Sequence, residues 1–260
     1  LTYLIYIGRG PAIAILLLIA LVLIIRNYLT HKKKLNIQFD HSSLKKSESH
    51  TVQGIIEESA DNVAKSMYRT SKTFEAVLQG LETQDDAHLK KIRKKITKFE
   101  DEVEALRNHL FYFIKNLDDT SVRGSNFYIM VLANLTDIVQ SLEFLAKKSF
   151  KHVDNNHSKL SEGQMADLKE IQSSFSDLLL TIEKTFLNKE FGDLGNSIEQ
   201  GGLLLDLIKG KIDSQIARTR KEAISPKNTA LCFNLLLESK DLVKAVIKLV
   251  EEYHTSSSNS

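Results

Sequence analysis

From about residue 59 onward, apolar residues return every three or four positions, the period of one face of an α-helix. Val63, Met67, Phe74, Val77, Leu78 and Leu81 predict a helix over 59–82, with a short lead-in over 52–57. Leu89, Ile92, Ile96, Phe99, Val103, Leu106, Leu110, Phe113 and Leu117 predict a second over 84–117. Gly124-Ser125 breaks the pattern, and Val131, Leu135, Ile138, Leu142 and Leu145 predict a third over 125–154. Leu168, Ile171, Phe175, Leu178, Ile182 and Phe186 carry a fourth to residue 188, and Ser161 with Gln164 reads as its capping box. Leu194, Ile198, Leu204, Leu207 or Ile208, Ile212 and Ile216 carry a fifth over 190–220. Within it, Gly201-Gly202 either weakens the helix or admits a close neighbour. Ser225-Pro226 pairs a capping serine with proline at the first helical position, and starts a sixth helix that runs to 253.

Six helices with one apolar stripe each make an all-α bundle, here two consecutive three-helix units. The third and sixth stripes align at an offset of 104 residues. Val131 then matches Leu235, Ile138 matches Leu242, Leu142 matches Val246, and Asp137 matches Asp241. An internal repeat explains the shared aspartate better than common amphipathicity does.

The start of the chain follows another pattern. Residues 11–25 are all apolar, with further apolar residues upstream and Arg26 and Tyr28 downstream. A secretory signal would carry its charge ahead of the apolar run, and a buried helix would need a polar face. A membrane-spanning helix over 1–29 fits both flanks. The basic run His31-Lys32-Lys33-Lys34 places its far end in the cytoplasm, and residues 30–260 with it, at the inner (cell) membrane. Residues 30–58 read as a basic, polar linker in which Leu35, Ile37 and Phe39 alternate like a short extended arm. The predicted division is therefore a membrane helix (1–29), a linker (30–58), three-helix units over 59–157 and 158–254, and a disordered tail (255–260).

Composition sharpens this. Two prolines and eleven glycines in 260 residues are too few for a turn-rich β fold. Residues 1–50 hold seven basic against two acidic residues, whereas the rest holds 28 against 31, a net of −3. Such a body is a poor binder of nucleic acid, whose affinity rests on neutralising many phosphates. Cys232, the single cysteine, excludes an intramolecular disulfide and reads as a small core residue.

Catalytic signatures are missing. There is no glycine-rich phosphate loop, no HExxH and no pair of Glu-x-x-His motifs of the di-iron type (only Glu251–His254 has that spacing), and the eight histidines are scattered. The chain does not read as an enzyme. Four polar residues stand out: Glu238 and Asp241 border the sixth stripe, and Asn134 and Asp137 hold the matching places on the third. Carboxylates beside an apolar face are costly unless they are paired or bind a cation. One reading is salt bridges or edge positions that reach water. The other is a site for a hard divalent metal, since only oxygen ligands are at hand. Asn155-Asn156-His157 reads as a turn or as a contact for a regulatory partner. Arg218, Arg220 and Lys221 complement the dipole at the end of the fifth helix.

The runs MVLANLTDIVQSLEFLAKKSFKHVDNNH (130–157) and RTRKEAISPKNTALCFNLLLESKDLVKAVIKLVEEY (218–253) complete the picture. With two triplets of helices and an acid repeated on the third of each, the chain resembles the PhoU-like fold. More closely, it looks like the C-terminal cytoplasmic region of bacterial inorganic phosphate transporters of the PiT family, with residues 4–29 as the last membrane helix. The resemblance implies a cytoplasmic module that regulates phosphate uptake, part of a larger permease. It also implies three partners: the transporter's membrane domain upstream in the same polypeptide, the membrane, and a second copy of the chain. PhoU-like proteins often bind metal clusters through an acid-x-x-x-Asp motif on these helices. Here Leu237 and Ala133 stand where the first acid belongs, so the motif does not carry over intact. The competing expectation is a membrane-anchored helical signalling or scaffold protein unrelated to phosphate.

Overall fold

The computed structural model describes residues 44–46, 52–115, 122–221 and 225–258. The expected membrane helix, the Leu35–Ile37–Phe39 arm and Leu117 lie outside them. The described residues form six α-helices and one 3-10 turn, with no strand among them. The helices are α1 (Val52–Thr83), α2 (Asp86–Lys115), α3 (Val122–Asp154), α4 (Glu162–Asn188), α5 (Leu194–Lys221) and α6 (Pro226–Ser258).

Helix ends explain how so few glycines suffice. Gln84, Asn156 and Lys189 take the left-handed conformation that glycine usually supplies, at φ 56°, 53° and 59°. At each, two backbone bonds close the last turn: Asp85 N to Gly80 O and Gln84 N to Leu81 O after α1, with the same pattern at His157 and Asn156 after α3, and at Glu190 and Lys189 after α4. The predicted starts hold as well. Ser161 and Gln164 form the reciprocal capping box of α4, and Ser225 Oγ accepts from Asn228 N at 3.1 Å ahead of α6.

Four helix limits differ from the sequence expectation. α1 runs unbroken from Val52, joining the expected lead-in over 52–57 to the main helix and taking residues 52–58 from the stretch read as linker, because Ile55 and Ile56 are fully buried. α3 begins at Val122, so Gly124-Ser125 opens a helix where a break was expected; in a first turn the amide hydrogens lack partners anyway, and small residues cost little. α5 starts at Leu194 behind a 3-10 turn, Phe191–Asp193. α6 runs on to Ser258, through residues expected to be disordered.

α1 and α4 pack on each other, and so do α3 and α6. Both pairs are antiparallel. Along the first, Ser71 meets Ser176, Phe74 meets Phe175 edge-on at 6.0 Å between ring centres, and Glu82 meets Lys169. The first helices of the two triplets thus face each other, as do the third helices, in a two-fold pattern. α2 flanks this centre against α3 and α1, and α5 flanks it against α6 and α4. The stripe matching holds at the level of burial: Val131, Ile138 and Leu142 on α3 and their counterparts Leu235, Leu242 and Val246 on α6 are all buried. α1 is packed on three sides, which is why small polar residues such as Ser59, Ser66 and Thr70 join its core. Ser59 and Ser66 return their hydroxyls to backbone oxygens one turn back, at 2.6 and 2.8 Å, and so bury no free donor.

At one end of the bundle Tyr253 is wholly buried among Phe127, Phe186 and Phe191, and its hydroxyl donates to Ser59 Oγ at 2.7 Å. That joins the last helix to the first. Among the described residues one helix, over Gly124–Asp154, is long and apolar enough to cross a membrane. It is the core helix α3, with over half of its apolar window buried inside the bundle.

Candidate functional site

The α3–α6 seam carries the residues that the sequence singled out for metal, and the structure separates them. Asn134 is buried, and its side-chain Nδ2 has no hydrogen-bond partner. Asp137 faces solvent. Asp241 is exposed and pairs with Lys244 at 3.3 Å, one turn along the same helix. Glu238 is half-buried and lies beside Ser141 of α3. Burial lifts the Glu238 carboxyl above its usual range; nearby Asp241 adds to this and the Ser141 hydroxyl opposes it. No group of three or more His, Cys, Asp or Glu side chains close enough to hold a metal occurs among the described residues. Of the four residues, Asn134 is buried, Glu238 half-buried, and Asp137 and Asp241 exposed.

Asn155, Asn156 and His157 form the helix-ending turn after α3, with both asparagines exposed. The His157 ring lies 5.1 Å from that of His152, whose Nε2 is 2.9 Å from Ser158 O. His152 is buried, and desolvation depresses its pKa, with His157 adding to the effect and the Ser158 contact opposing it. Asn228 on α6 completes the junction by donating to Lys159 O at 2.6 Å. The turn thus fastens the crossing between the two triplets to the start of the last helix.

Two arrangements had no clear signal in the sequence. The first joins α4 to α5. Asp167 lies at the buried edge of α4 and accepts from Arg218 at 2.9 Å and from Lys211 at 3.1 Å. Arg218 also donates to the buried Gln215, and Lys211 reaches Glu170. Arg218 therefore works as an ion-pair partner, where the sequence suggested a dipole complement. Cys232 lies near this network, fully buried, and desolvation pushes its thiol up to about 12, which makes it inert at neutral pH. The second arrangement holds the chain ahead of α1. The Asn62 side chain, buried on α1, accepts from Lys45 N at 2.9 Å and donates to Lys45 O at 2.7 Å. Leu44 N donates to Glu102 on α2, at 3.1 Å, and Arg69 holds Glu102 in place while lying 4.0 Å over the Phe99 ring. A sequence scan finds neither, because the partners are 17 to 58 residues apart.

No protein-family model matches the sequence, and no curated protein does either. Solved structures do. The phosphate transport system regulatory protein PhoU from Streptococcus pneumoniae matches with a TM-score of 0.61 at 12% identity, over 79% of this chain and 94% of that one. The bundle has the PhoU-like fold.

Proposed function

We propose that this chain is the cytoplasmic regulatory module of an inorganic phosphate transporter of the PiT type, a piece of a larger permease, and not an enzyme. The observation that carries the reading is the PhoU-like fold, shared with the phosphate transport system regulatory protein of Streptococcus pneumoniae. The apolar run at residues 11–25, followed by Lys32, Lys33 and Lys34, supports a membrane tether with the bundle on the cytoplasmic side. The module acts by helix-on-helix contact with the transporter's cytoplasmic loops, and binding to one state shifts the balance between open and closed forms. Neither metal nor chemistry enters the mechanism.

The test is to remove residues 51–254 from the intact gene product and measure phosphate uptake against external phosphate. The proposal expects uptake to lose its repression at high phosphate. Unchanged uptake with unchanged repression removes it and favours a scaffold unrelated to phosphate.

A further inference from the structure

The outer face of α2 is charged in a way that the rest of the bundle does not explain. Lys90, Lys91, Lys94 and Lys98 are all exposed, and among the described residues none of them has an ion pair. Lys90–Lys94 and Lys94–Lys98 are like charges one turn apart, an arrangement that weakens a helix. Exposed Asp86 and Asp101 flank the run one turn before Lys90 and one turn after Lys98, but α2 carries no acid from residue 87 to 99, and Glu143 across on α3 is engaged with Arg93 at 2.9 Å. Arg93 also lies over the Phe150 ring, so this stretch of α3 runs alongside the lysines and brings exposed Lys147 and Lys151 to the same side. The result is six exposed lysines on two adjacent helices of a chain whose formal net charge is only +2.

We infer that this lysine face rests on the anionic surface of a lipid bilayer. Three features favour lipid over nucleic acid. The face consists of lysines, which act as point charges, and its one arginine is occupied by Glu143, leaving no planar fork to read a base. The exposed aromatic on this helix, Tyr112, lies about 20 Å beyond Lys98, out of reach as a stacking platform for the same strand. The apolar run 11–25 and the lysines after it belong to the same polypeptide, so a tethered bundle meets a bilayer at high effective concentration. The contact depends on charge alone and stands whether or not the partner transporter carries phosphate.

The test uses the full chain reconstituted into vesicles. Cys232 is buried, so one introduced cysteine can be labelled with a fluorophore: Ala87→Cys beside the lysines, or Gly210→Cys on the exposed side of α5 as control. Quenching by headgroup-nitroxide lipid reports contact. With roughly 30% phosphatidylglycerol in phosphatidylcholine, quenching at residue 87 should exceed that in pure phosphatidylcholine by at least about threefold, given about fivefold in partition per lysine near such a surface. Residue 210 should show no such gain. Lys90→Glu, Lys94→Glu and Lys98→Glu together should bring residue 87 down to the control level, and the milder glutamine triple should fall between. Equal quenching at both positions, or no response to either triple, overturns the inference. So does a mobility shift of short duplex DNA, in neutral vesicles, that the triple abolishes, since it would assign the face to nucleic acid.

Discussion

The two triplets hold their outer helices by different means. α2 buries Leu89, Ile92, Ile96, Phe99, Val103, Leu106 and Phe113 in one unbroken stripe. α5 buries Leu194, Leu204 and Ile208, and its other buried positions are Ser197, Gly201 and Gln215. What α5 lacks in apolar surface it replaces by close approach and charge. A Cβ on Gly201 would lie 2.6 Å from Ile247, so the glycine lets α6 come near, and Asp167 draws in Arg218 and Lys211 from the other end. The first outer helix thus has a continuous apolar stripe with ion pairs at its edges (Arg69–Glu102 and Arg93–Glu143), whereas the second relies on a shorter stripe and a buried charge network. Dispersion and desolvation supply most of the hold on the first, while the second depends more on charge.

The contrast breaks most sharply at Phe99. It is 2% exposed and carries Arg69 on its face. Phe99→Ala should cost about 3–5 kcal/mol in chemical denaturation. It should also free the 44–46 segment, since Arg69 would lose the ring that positions it against Glu102. Native-state hydrogen exchange should show α2 and residues 44–46 opening together. If α5 opens as much as α2, the two seams are not independent.

Asp167→Asn makes the matching cut in the second triplet. It removes the charge that Arg218 and Lys211 share, leaving Lys211 on Glu170 and Arg218 on the neutral Gln215, and should cost on the order of 2 kcal/mol, given hydrogen bonds to charged groups. Exchange should rise in α5 and stay unchanged in α2. Raising salt should narrow the gap between variant and parent, because the side chains of Asp167, Lys211 and Arg218 keep 12%, 18% and 15% of their exposure. A gap that salt leaves untouched would make the network a packing feature instead.

These seams also show what the sequence could reveal. All six helices were legible, since each has a stripe that one core-facing side must have. Asn156 as the left-handed residue of a turn, and the caps at Ser161 and Ser225, followed from local chemistry. The α5 stripe was overread: Ile216 was placed inward and is 45% exposed, because a helix on the flank of the bundle buries a narrower face than its apolar residues suggest. The lead-in over 52–57 was legible but not its continuity with α1, because the glutamates that separate Ile55 and Ile56 from the later stripe resemble linker. The carboxylates of the α3–α6 seam were conspicuous because they stand beside leucines. Asp167 also stands beside one, Leu168, but its partners lie 44 and 51 residues further on, and only the fold brings them together.

A smaller effect separates the triplets at their junction. The depressed His152 pKa means that the native state holds its proton less tightly than the unfolded chain does at the ordinary 6.5. Stability is therefore lost as pH falls below 6.5, until the native histidine protonates too. Lowering pH from 7 to 5 should reduce the protection factors at 152–159 (exchange relative to the intrinsic rate at each pH) a few-fold, and His152→Gln should flatten that response. Equal loosening in the variant would point to His157 or to the wider charge balance.

Smallest of all is the difference between the matched positions Glu238 and Asn134. One copy of the repeat keeps a carboxylate where the other has a neutral amide, and burial raises the pKa of that carboxylate above 4.5. The native state then holds the Glu238 proton to higher pH than the unfolded chain does, so the charged form weighs against folding once pH exceeds the native pKa. That burden lifts as pH falls through the native value, and is gone below 4.5. Glu238→Gln keeps the shape and an acceptor beside Ser141, and makes the two positions chemically alike. At pH 7 it should raise Tm by up to about 2 °C, the range of a mild substitution at a half-buried site. Below pH 4.5 the variant and parent should converge. A variant less stable than the parent at pH 7 would mean that the Ser141 contact outweighs desolvation, and that the carboxylate helps to hold α3 against α6.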